Sequence, residues 1–183
     1  MAAWKHRARG AVVAAALLGM ASMVQAAGPS GGPSAADLEA LRSFQLTDGF
    51  FKKWEAYEER AAVDPCTLSP LMVLKGADKQ SLSQIEERFA SKPAVRQALD
   101  ESGLSPHEAM LGMMTLFAAA AQTIAKEHPE FVDNGHKPAF TVSPENMAVY
   151  EAHKGELHQH QMKLGKEQLA KNKGKLPACM MGG

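Results

Sequence analysis

The segment from Pro106 to Glu127 constrains this chain most, because it reads as a helix with almost no polar side. Met110, Met113, Met114, Phe117, Ala121 and Ile124 recur along it, and its charged residues are confined to the two ends. Ser105-Pro106-His107-Glu108 supplies a cap, a proline at the first helical position and a capping glutamate, and His128-Pro129 ends the run. A helix this apolar needs other elements wrapped around it. The spacing therefore predicts an all-α, single-domain helical bundle of about five helices, with the helix over residues 106–127 the most buried.

The flanking segments supply the wrapping. A helix is expected from Thr47 or Asp48, with Phe50, Trp54, Tyr57 and Ala61 on one face and Lys52, Lys53, Glu55, Glu58 and Glu59 mostly on others, stopping at Asp64-Pro65. Residues 66–79 carry Pro70 and Gly76 and read as an irregular connector, with Leu71, Met72, Val73 and Leu74 tucked against the core. Ser81-Leu82-Ser83-Gln84 is a capping box opening a short helix through Ile85 and Phe89. Pro93 opens another, closed by Gly103. After a loop containing Asp133-Asn134-Gly135, Ser143-Pro144-Glu145 starts a last long helix running to about Ala170. No strand pattern or fixed-period repeat competes with this reading.

The N-terminus reads as an export signal over residues 1–26. Lys5, Arg7 and Arg9 precede an apolar run from Ala11 to Val24, and Val24-Gln25-Ala26 offers small residues for cleavage before Ala27. Residues 27–43 then read as a flexible leader, rich in Gly, Pro and Ser, in which Ser34-Ala35-Ala36-Asp37 caps a short amphipathic turn with Leu38 and Leu41. The helical domain is expected over 44–171 and a Lys- and Gly-rich tail over 172–183. No transmembrane span is expected in the mature chain, and the localisation implied is periplasmic or secreted.

The full chain of 183 residues balances 20 Lys and Arg against 20 Asp and Glu, which argues against a nucleic-acid partner. Removal of the signal leaves −3, split between −7 on residues 27–153 and +4 from Lys154 onward. Cys66 and Cys179 are the only cysteines, and in an oxidising compartment they are expected to pair. Closing so long a loop is worth up to about 5 kcal/mol on chain-entropy grounds.

Three blocks carry a resemblance. They are Leu46-Thr47 with Lys53-Trp54, Pro93-Ala94-Val95 through Gly103-Leu104-Ser105-Pro106-His107-Glu108, and Val142-Ser143-Pro144-Glu145-Asn146. Over residues 44–157 the chain resembles a recurrent group of small exported helical proteins of proteobacteria. The resemblance implies export and an all-helical fold, and it transfers no activity, cofactor or site.

Motifs with mechanical meaning are absent: there is no Gly-rich phosphate loop, Gly-x-Ser-x-Gly elbow, His-Glu-x-x-His, haem-attachment motif or zinc-ribbon pair. The adjacent pairs Glu58-Glu59 and Glu86-Glu87 point to different helix sides and make poor acid/base dyads. The informative polar set lies on the last helix. Asn146, His153 and His160 repeat every seventh residue, beside Val149, Tyr150, Leu157 and Leu164, so Asn146, Tyr150, His153, Leu157 and His160 form the candidate binding face. Such a stripe either holds satisfied core or interface groups or lines a ligand site.

A second set comprises His158 and Met162, at i, i+4 spacing, with Cys179, Met180 and Met181; these donors suit Cu(I) or Zn(II). A disulfide would remove Cys179 from that set, and Met110, Met113 and Met114 read as core filler. The expected function is thus binding, foremost of an envelope or secreted protein partner. Soft-metal binding or buffering is the alternative, and an enzyme of unrecognised type comes third.

Overall fold

The computed structural model describes residues 33–75, 80–129 and 140–180. The expected signal peptide over 1–26, the Asp133-Asn134-Gly135 loop and Met181 lie outside them. Among the described residues there are eight α-helices and no strand. They are α1 (Ala35–Ser43), α2 (Asp48–Val63), α3 (Pro65–Leu68), α4 (Pro70–Leu74), α5 (Leu82–Ser91), α6 (Pro93–Ser102), α7 (Pro106–Glu127) and α8 (Pro144–Lys171), followed by a 3-10 turn at Ala178–Met180. The all-α class stands, and the expected count of about five is corrected to eight.

Local chemistry explains the three additional helices. Ser34 accepts from the Asp37 N–H while Asp37 accepts from the Ser34 N–H, a full capping box for α1. That helix buries Leu41, so the helical region begins at Ala35 and the leader expected over 27–43 is shortened at its C-terminal end. In the stretch read as an irregular connector, Pro65 and Pro70 each sit at the first position of a separate short helix, which proline's fixed φ favours. Asp64 caps α3, and the Arg88 guanidinium donates to the carbonyls of Val73 and Lys75 at the end of α4.

The core forms around α7. Eleven of its 22 residues are buried, Met110, Met113 and Met114 among them. By length and composition α7 could cross a bilayer, yet here its apolar surface is spent on other helices, as in the core helix of a soluble domain. Gly112 is where α7 meets α2: a Cβ at that position would stand 2.1 Å from the Phe50 ring. Phe50 in turn stacks on Trp54, with ring centroids 5.9 Å apart. Tyr57, fully buried, donates its hydroxyl proton to the Leu68 carbonyl at 2.6 Å, which fastens α2 to α3.

Cys66 and Cys179 are joined in a disulfide, as expected, with their Cα atoms 5.7 Å apart. The bridge ties the turn following α8 back to α3, so the C-terminal tail has a covalent anchor. One consequence governs the site below: α8 is held at both ends, by Asn146 at its start and by the disulfide beyond its finish.

Candidate functional site

The stripe on α8 lies along α2, and the two helices run in the same direction. Asn146 comes first. It is buried, its Oδ1 accepts from the Leu46 N–H at 2.7 Å, and its Nδ2 donates to the Phe44 carbonyl at 2.7 Å. It therefore clamps the segment between α1 and α2, with both ends of its amide engaged by backbone groups. His153 follows two turns on, stacked on Phe51 with centroids 4.3 Å apart and with Nε2 2.9 Å from Asp48 Oδ1. Its role is likewise architectural: an imidazole that covers the core and is oriented by a carboxylate.

His160 differs. Its Nε2 is buried without a hydrogen-bond partner, 3.9 Å from Oε2 of Glu58, which is also buried and also unpaired. The other carboxylate oxygen of Glu58 accepts from Gln161 Nε2 at 2.9 Å. Burial pushes the Glu58 carboxyl above the ordinary carboxylate range. The Gln161 bond, the nearby His160 and the Trp54 side chain pull it partly back, and Glu55 opposes them. A carboxyl with a free oxygen and a preference for the proton is the feature that separates this place from the paired polar groups around it.

Glu58 lines a cleft of about 310 Å³ between α2, α4, α7 and α8. Its walls are apolar: Pro70 and Leu71 from α4, Leu116 and Phe117 from α7, Trp54 from α2 and Leu157 from α8. Tyr150, Lys154, His158 and Gln161 add polar groups along α8. Desolvation raises the Tyr150 phenol above its ordinary range. Lys154 is engaged by Glu151 at 2.5 Å and by Glu127 at 3.4 Å; the Glu151 bond raises the ammonium pKa and lowers that of Glu151, whose other oxygen accepts from Thr123.

The candidate binding face is thus divided. Tyr150 and Leu157 reach the cleft, His160 stands behind Glu58, and Asn146 and His153 serve the seam with α2. Glu58 was placed outside the apolar face by its type. A helical wheel sets it about 40° from Trp54, at the border of that face, which is the one signal that could have found it. Its separation from exposed Glu59 holds as expected.

The soft-metal set is not assembled as expected. Cys179 is oxidised and offers no thiolate, because the sulfur is bonded to Cys66. His158 and Met162 border a shallow depression with Lys163, Lys166 and Glu167. Among the described residues no group of three or more His, Cys, Asp or Glu side chains could hold a metal ion. No family model, curated protein or solved structure matches the chain.

Proposed function

We propose that the protein is an exported binding protein whose recognition site is the cleft between α2, α4, α7 and α8, and that its ligand is a small molecule with an apolar body. The observation that carries this reading is a largely apolar cleft whose wall includes Glu58, a carboxyl with one buried, unpaired oxygen. Recognition sites for small molecules are commonly concave and largely apolar, with few convergent polar groups, and begin at about 300 Å³. Export is supported by the N-terminal signal pattern and is consistent with the disulfide.

The test is saturable binding of the neutral fluorescent probe N-phenyl-1-naphthylamine to the purified protein. Ala120→Phe, which fills the cleft from the α7 side, should abolish that binding while leaving the circular dichroism unchanged. Equal binding by the variant would place the apolar site elsewhere.

A protein partner is the second reading. Met162 and Leu169 favour it, since both are exposed, a helical repeat of seven apart, on the C-terminal half of α8. Envelope proteins captured by the wild type and lost on the double change Met162→Ser, Leu169→Ser would support that reading over the first.

A further inference from the structure

Glu58 is the one carboxyl in the cleft wall, and its surroundings define what could satisfy it. From α8 it faces His160, Gln161, His158 and Lys154; from α2, Glu55 and Trp54; from α4 and α7 only uncharged side chains. Lys154 is the one permanent cation among these groups, and it is engaged by Glu151 and Glu127 rather than by Glu58. The Glu58 side chain is 14% exposed, so solvent does little to compensate a charge there. Its terminal torsion is soft, and rotation can present either oxygen to the cleft.

Resting on the cleft as the binding site, we propose that it selects ligands that carry a primary ammonium group on an apolar stem, with Glu58 as the counter-ion. Three features argue for a cation over other heads. Glu58 lines the cleft, and one of its carboxylate oxygens has no hydrogen-bond partner and can accept from a donor head. An ammonium brings a positive charge and three donors, whereas a hydroxyl brings one donor and no charge. A carboxylate head would bring a second negative charge against Glu58 in a water-poor site. The apolar walls contributed by Leu116, Phe117 and Leu157 would hold the stem.

Binding of the ammonium should then follow the ionisation of Glu58. Burial shifts that ionisation upward, so affinity falls as pH drops and begins to fall above the ordinary carboxylate range.

The experiment compares n-octylamine, 1-octanol and octanoate by titration calorimetry with the full chain, at pH 8 and pH 5, in the wild type and in Glu58→Gln. The expected order at pH 8 is octylamine ahead of octanol by about tenfold or more, as a charge-assisted hydrogen bond gives, with octanoate weakest. The amine preference should shrink at pH 5 and fall below about threefold in Glu58→Gln. Glu58→Gln removes a buried acid and keeps its shape, and its circular dichroism should match the wild type. If octanol or octanoate binds as tightly as octylamine, or if the preference survives Glu58→Gln, the counter-ion role is overturned while the cleft remains a binding site. If none of the three binds, both this inference and the binding reading fail.

Discussion

Helices α7 and α8 open in nearly the same way, with Ser105-Pro106-His107-Glu108 and Ser143-Pro144-Glu145-Asn146, and the cap serine accepts from the third helical N–H in each. From that shared start they part. α7 buries eleven of its 22 residues, whereas α8 buries two of its 28, Asn146 and Leu157. The cap determines where a helix begins, and the apolar pattern after it determines how deeply it packs. α7 earns its position by packing alone. α8 is held by discrete devices, the Asn146 clamp, the His153 stack and the disulfide beyond its end, and this sparse attachment lets it contribute polar side chains to the wall of a cleft.

The largest effect should separate two methionines. Met113 on α7 is fully buried, and Met162 on α8 is 36% exposed. Met113→Ala should cost about 2–5 kcal/mol in urea unfolding, through lost transfer energy and an unfilled cavity. Met162→Ala should stay within about 0.5 kcal/mol. Comparable losses at the two sites would break the contrast between the helices.

Next comes the clamp. Asn146→Ala strands the Leu46 N–H and the Phe44 carbonyl, at about 1–3 kcal/mol for each buried group left unpaired. Leu46 amide exchange should quicken in the variant before the exchange of the α7 core does. An unchanged Leu46 amide would mean that packing, and not the clamp, positions the start of α8.

These two cases also show what could be read in advance. The α7 core was legible because Met110, Met113 and Met114 fall in an apolar run between clear start and stop signals, and the disulfide was legible from the signal-like N-terminus together with a cysteine count of two. α3 and α4 were not, since four- and five-residue helices lack the length for periodicity, and the prolines that start them also read as breakers. On α8 the seven-residue stripe was visible, but its division among Asn146, His153 and His160 depends on partners in α2 and in the segment before it, 100 or more positions away. Glu58 was hidden for a related reason. A glutamate at the edge of an apolar face snorkels to water unless a neighbouring helix covers it, and only the tertiary packing of α8 supplies that cover.

A third effect tests that cover through pH. Glu58 has its folded pKa raised, so between the ordinary carboxylate value and the raised one the folded chain binds the proton more than the unfolded chain does. The stability that Glu58 contributes is present below the unfolded pKa and lost as pH rises through the folded one. Glu58→Gln should remove that part of the pH dependence and be more stable than the wild type at pH 8. Parallel stability curves for the two proteins from pH 4 to pH 8 would show that the carboxyl is not shielded by α8.

The last effects turn on glycine, where one substitution should have opposite signs on the two helices. At Gly112 in α7 an added methyl would overlap the Phe50 ring at 2.1 Å, so Gly112→Ala should destabilise by about 1–3 kcal/mol as the ring is forced from its place. At Gly155 and Gly165 in α8 an added Cβ meets nothing within 4 Å. There the methyl costs no contact and reduces the backbone freedom of the unfolded chain, so Gly155→Ala and Gly165→Ala should each stabilise by about 0.5–1 kcal/mol. The two α8 changes lie ten residues apart and share no partner, so their gains should add in the double variant. A melting temperature that falls in either α8 variant would mean that this face of the helix is covered by something the isolated chain lacks, and the contrast between a packed α7 and an open α8 would then hold for the monomer only.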